Sequence, residues 1–80
     1  MKRIKNQVLR TYEHDGYIVE ITRENCCGHD SYAAYLGHPN IGIKEMMFGH
    51  DIETIELGLF IELVEVNLDE YIEDYKEEYE

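Results

Sequence analysis

Between residues 59 and 79 the apolar side chains keep a helical step. At 100° per residue, Phe60, Ile61, Val64, Leu68, Tyr71, Ile72, Tyr75 and Tyr79 fall in one continuous stripe. Glu62, Glu65, Asp69, Glu70, Glu73, Asp74 and Glu77 fall outside it. Asn67, with Glu70 three residues on, has the form of a capping box. The register nevertheless runs through Asn67 unchanged, which predicts one helix over about 59–79. Leu63 and Val66 lie off the stripe, so part of the helix is expected to be buried on a second side. Gly58 marks its start or a kink. A helix with one apolar face must be covered by another layer. With 80 residues, that layer belongs to the same single domain, 1–80.

The first half of the chain supplies a sheet. Val8–Glu13 and Tyr17–Arg23 flank His14-Asp15-Gly16, and Asp-Gly between two β-prone runs is a strong hairpin signal. Tyr17, Val19 and Ile21 share one face; Ile18, Glu20 and Thr22 share the other. Asn25–Asp30 reads as a polar loop. Ser31–Leu36 reads as a third strand, Gly37–Asn40 as a turn and Ile41–Phe48 as a fourth strand. In that last strand Ile41, Ile43 and Met47 share a side that Glu45 interrupts. Asp51–Leu57 fits either a short helical turn or a further strand. The expected fold is α+β: a four-stranded antiparallel sheet (about 4–48) with one long C-terminal helix (about 59–79) packed on one face. Tyr71, Tyr75 and Tyr79 would lay their rings on the sheet. The other sheet face would be left for a partner or a homodimer.

Charge is distributed very unevenly. Eighteen Asp and Glu against seven Lys and Arg give a net charge of -11. Residues 1–50 are balanced, with six of each sign, whereas 51–80 hold twelve acids and the single base Lys76. Lys2, Arg3, Lys5 and Arg10 form a basic lip ahead of the first acid, Glu13. Acidic helix faces are most simply solvated surface. Here, however, no acid has a basic partner at i+4, and only Glu73 has one at i+3, so like charges weaken the helix. Glu62, Glu65, Asp69, Glu73 and Glu77 rise by about 4.5–6 Å per step, on the scale of the ~3.4 Å phosphate spacing along one nucleic-acid strand. With Asp74, they are the candidate partner-binding carboxylates. Such a field argues against direct nucleic-acid binding and for a basic partner.

Catalytic and metal signals are sparse. There is no Gly-rich phosphate loop, no G-x-S-x-G and no H-E-x-x-H. Cys26 and Cys27 are adjacent and lack zinc-binding C-x2-C spacing; with His29, and His38 or His50, they offer at most an irregular ligand set. The same thiols beside a histidine are the only nucleophile pairing available. Neither a metal nor another cofactor is expected, nor an enzyme. Adjacent cysteines rarely bridge, so a reducing, cytoplasmic setting is expected. No apolar run approaches the ~18–20 residues of a membrane span, and no apolar segment follows the basic N-terminus as in a secretory signal. Tyr32 and Tyr35 lie on opposite faces of the third strand. One is expected to be exposed and to serve as an anchor at a binding surface.

Two resemblances follow from these residues. Tyr17-Ile-Val-Glu-Ile, Ser31-Tyr-Ala-Ala-Tyr-Leu-Gly and Phe48-Gly-His-Asp-Ile-Glu-Thr ahead of a helix resemble the N-terminal domain of HicB-type antitoxins over roughly residues 17–72. In that family Gly stands at the position of Ser31 and Pro at that of Gly37. The resemblance implies a regulator that binds a small basic toxin. The chain also resembles in style the small acidic proteins of phages and mobile elements, including anti-CRISPR proteins. The features are its size, its Tyr-rich strand Ser31–Leu36, Met47-Phe48-Gly49 and the acidic run from Asp69 onward. That likeness implies a non-enzymatic inhibitor of a host nucleic-acid-processing protein, a CRISPR effector or nuclease, acting as a nucleic-acid mimic on its basic groove. It is the leading expectation, with the antitoxin as the alternative.

Overall fold

Asp15 and Gly16 both adopt positive φ, 51° and 85°, and close the first hairpin. This turn matches the right-handed twist of the strands it joins, and Gly carries no steric penalty there. A computed structural model describes residues 5–26 and 28–80. Lys2, Arg3 and Cys27 lie outside the described residues, as do the side chains of Lys5 and Cys26.

The elements are β1 (Lys5–His14), β2 (Tyr17–Cys26), β3 (His29–Gly37), β4 (Lys44–Asp51), a short 3-10 turn (Ile52–Thr54) and α1 (Leu57–Tyr79). The strands form one antiparallel meander in the order β1-β2-β3-β4. The fold is therefore α+β, a four-stranded sheet with one C-terminal helix.

Several boundaries differ from the sequence expectation. The sheet extends to Asp51 rather than 48, and α1 begins at Leu57 rather than 59. The loop expected over Asn25–Asp30 is shorter, since Asn25 and Cys26 end β2 and His29 and Asp30 begin β3: Asn25 faces Asp30 across the ladder, and its amide donates to the Asp30 carboxylate. Arg23 binds the same carboxylate at 2.5 Å, so polar residues here lock a hairpin end. Ile41 and Ile43 are not in a strand. The amides of Ile41 and Gly42 both donate to the His38 carbonyl, holding this segment as a turn. A register shift makes Met47 the extra residue of a bulge between the Tyr35–Met46 and Ala34–Phe48 pairs. Asp51–Leu57 holds the short 3-10 turn Ile52–Thr54 between the end of β4 and the start of α1, and the turn is capped by the Asp51 carboxylate accepting from the Glu53 amide at 3.0 Å.

Tyr17, Val19, Ile21, Ala34 and Leu36 on one sheet face meet Phe60, Ile61, Val64, Leu68, Ile72 and Tyr75 of α1. Phe60 is the centre of an aromatic cluster, stacked on Phe48 at 5.3 Å and tilted on Tyr32 at 5.4 Å. The Tyr75 hydroxyl reaches the sheet rim and donates to the Ile43 carbonyl at 2.6 Å. Asn67 does not interrupt the helix; its side-chain amide donates back to the Leu63 carbonyl at 2.9 Å. Gly58 sits in the first turn. The second buried side expected at Leu63 and Val66 is not there: Val66 is 78% exposed and Leu63 37%.

Candidate functional site

Helical geometry divides the six candidate carboxylates. Glu62, Glu65, Asp69, Glu73 and Glu77 recur at steps of three and four and form a continuous exposed ridge. Glu65 and Asp69 lie on the β1 side of α1, where the His14 Nε2 stands 3.5 Å from Asp69 and the Tyr12 hydroxyl is near Glu65, and the ridge swings to the outer side by Glu73 and Glu77. Asp74 is also exposed but belongs to the opposite flank. There it borders a shallow hollow with Tyr71, Tyr75, Glu45 and Met46.

Among the described residues, no Lys or Arg forms a salt bridge with an α1 carboxylate. The arginine and lysine that do pair act within the sheet, as Arg23–Asp30 and Lys44–Glu20. Among the described residues the ridge therefore presents its carboxylates without a Lys or Arg salt bridge, with His14 beside Asp69 and Lys76 three residues after Glu73.

Tyr32 and Tyr35 do not join this ridge. Tyr32 turns under the helix against Phe60. Tyr35 lies on the uncovered sheet face, where its hydroxyl donates to Glu24 at 2.5 Å. Both are half-buried, so neither has the full exposure expected of one of them from strand alternation. The Tyr35 pKa is pushed up to about 12, first by that hydrogen bond and then by burial. Tyr17 is likewise pushed up to about 12 by its hydrogen bond to Glu80. Burial, followed by the Glu65 charge, raises Tyr12, whose hydroxyl is buried with no hydrogen-bond partner within bonding distance among the described residues.

Of the irregular ligand set, the side chains of Cys26 and Cys27 lie outside the described residues, and the histidines divide between the two ends of β3. His29 and His38 lie at opposite ends of β3, about 30 Å apart at strand rise. His38 packs edge-on against Tyr17 at 4.9 Å. His50 is near the His29 end, with its Nδ1 beside the Thr54 hydroxyl at 3.1 Å. A different group does meet: His14, Asp15 and Asp69 bring one ligand atom each within 4.8 Å of one another. It joins the first hairpin turn to the middle of α1, at the surface. Distance in sequence hides this group, since nothing in residues 14, 15 and 69 indicates their contact.

Sequence reasoning also missed a feature of the helix exterior. Leu59, Leu63 and Val66 are exposed, at 51%, 37% and 78%. Their i, i+4, i+7 spacing was the available signal.

No family model, curated protein or solved structure matches this chain. No helix among the described residues is long and apolar enough to cross a membrane.

Proposed function

We propose that this chain is a non-enzymatic interaction protein that uses the outer side of α1 to occupy the basic groove of a nucleic-acid-binding protein. The observation that carries the reading is the exposed ridge Glu62–Glu65–Asp69–Glu73–Glu77 without a Lys or Arg partner among the described residues. Like charges at these spacings weaken a helix unless an opposite surface neutralises them. A Lys/Arg-lined groove does so, and the ridge then excludes nucleic acid by charge and by volume. Host CRISPR effectors and nucleases, acting in the cytoplasm, are the target class that the style of the sequence suggests. Asp74 flanks the contact, whereas Tyr32 and Tyr35 stand outside it.

The test reverses charge where packing is not involved. Asp69→Lys, Glu73→Lys and Glu77→Lys are combined, and the folded state is checked by circular dichroism. Wild type should retain basic nucleic-acid-binding proteins from nuclease-treated lysate at low salt and release them at high salt. The folded triple variant should retain none. Equal retention by the two proteins would overturn the reading, and salt-resistant capture of one small basic protein would favour the antitoxin.

A further inference from the structure

The outermost line of α1 has a composition that the acidic ridge does not explain. Leu59, Leu63, Val66, Glu70, Glu73 and Glu77 follow one another at alternating steps of four and three. At 100° per residue all six lie within about 80° of arc, centred some 165° from the middle of the buried face. The first three are apolar and exposed, and the last three are exposed carboxylates. The line changes character once, between Val66 and Glu70.

Alternating four-three spacing is the seam along which one helix packs on another at a shallow crossing angle. We infer that this seam is the docking site for a helix of the partner that is apolar over one half and Lys/Arg-rich over the other. The inference rests on the proposed function and narrows it from a basic surface to a basic amphipathic helix. Charge selects the occupant. A second copy laid parallel along the seam would bring Glu70, Glu73 and Glu77 against the same residues of a chain also carrying -11. A cationic helix meets complementary charge at every one of them. The apolar half supplies burial that salt does not screen, and the acidic half supplies steering and register.

The probe is a synthetic helix with leucines at the seam positions of one half and lysines at those of the other, made in both orders. The control is a peptide of equal charge with no leucine. Affinities for wild type and for the double variant Leu63→Ser, Val66→Ser are measured by titration calorimetry. Wild type should bind one leucine-lysine peptide about tenfold or more tightly than the control, and the double variant should lose that preference. Its affinity for the control should not change. Equal binding of all peptides by wild type and variant would overturn the seam while leaving the acidic-face reading intact. Failure of every basic peptide to bind would overturn both. Sedimentation of wild type as a dimer and of the variant as a monomer would overturn the heterologous partner in favour of a second copy.

Discussion

Tyr17 and Tyr35 each set a phenol against a carboxylate, on opposite faces of the sheet. Both are pushed from the ordinary 10 up to about 12, so the folded chain holds these protons more tightly than the unfolded chain. The stabilisation is complete below pH 10 and is lost as pH rises from 10 towards 12. Tyr12, Tyr75 and Tyr79 are raised as well, which adds to the same alkaline loss. Tyrosinate absorbance of the native chain should therefore rise at higher pH than that of the urea-unfolded chain. Tyr35→Phe should flatten the fall in stability over this window, and superimposable titrations of native and unfolded protein would contradict the assignment. Packing gives a second contrast between neighbouring turns of one helix. Leu68 is 1% exposed in the core, so Leu68→Ala should cost about 2–5 kcal/mol in urea denaturation. Val66→Ser, at a position 78% exposed, should stay within about 0.5 kcal/mol.

At the scale of elements, α1 carries a load of its own making. Its carboxylates repel one another, and only Lys76 offsets them within the helix. Added salt should raise the melting temperature of wild type, and the Asp69→Lys, Glu73→Lys, Glu77→Lys variant should melt higher at low salt with less salt dependence. Circular dichroism melts at two salt concentrations check this; equal salt dependence in both proteins would show that the ridge is not under strain. The helix was legible because eight apolar residues hold one period through Asn67, and the first hairpin because Asp15-Gly16 punctuates two β-prone runs. What escaped was set by contacts that alternation does not encode. Asn25 and Asp30 look like loop residues yet bond across a ladder. Ile41 and Ile43 look like strand residues yet lie outside the strands, Ile41 in a turn held by the His38 carbonyl and Ile43 just after it. Met47 breaks the alternation of β4 by bulging. Of the candidate site, the exposed acids were readable from helical angle alone. The placement of Tyr32 under the helix and Tyr35 on the far sheet face was not, because alternation separates faces without saying which one is covered.

For the molecule as a whole, two layers create two outward surfaces that cannot be engaged by one flat partner. The chain is 18 Å through its shortest axis, with the α1 seam on one side and the uncovered sheet face on the other. That sheet face carries Val8 and Met46, 55% and 52% exposed, beside the Lys44–Glu20 pair and the Tyr35–Glu24 hydrogen bond. Its charges are partly paired within the sheet, whereas those of the ridge make no salt bridge to Lys or Arg among the described residues. A cationic partner therefore has its electrostatic reason to dock on the helix side, leaving the sheet side open to another contact, including a second copy of the chain. Between the two lies a core whose members on the sheet, Val19, Ile21 and Leu36, are almost completely buried. Close packing of that kind offers no second arrangement through which one surface could switch the other. The two surfaces should consequently act independently. Val8→Ser combined with Met46→Ser should leave the affinity for the leucine-lysine helix unchanged, while Leu63→Ser combined with Val66→Ser reduces it. Calorimetric titration of both double variants at the same salt decides the matter. A weakened affinity in the sheet-face variant, with its fold intact, would mean that the partner wraps around the sheet edge and that the recognition surface is not confined to α1.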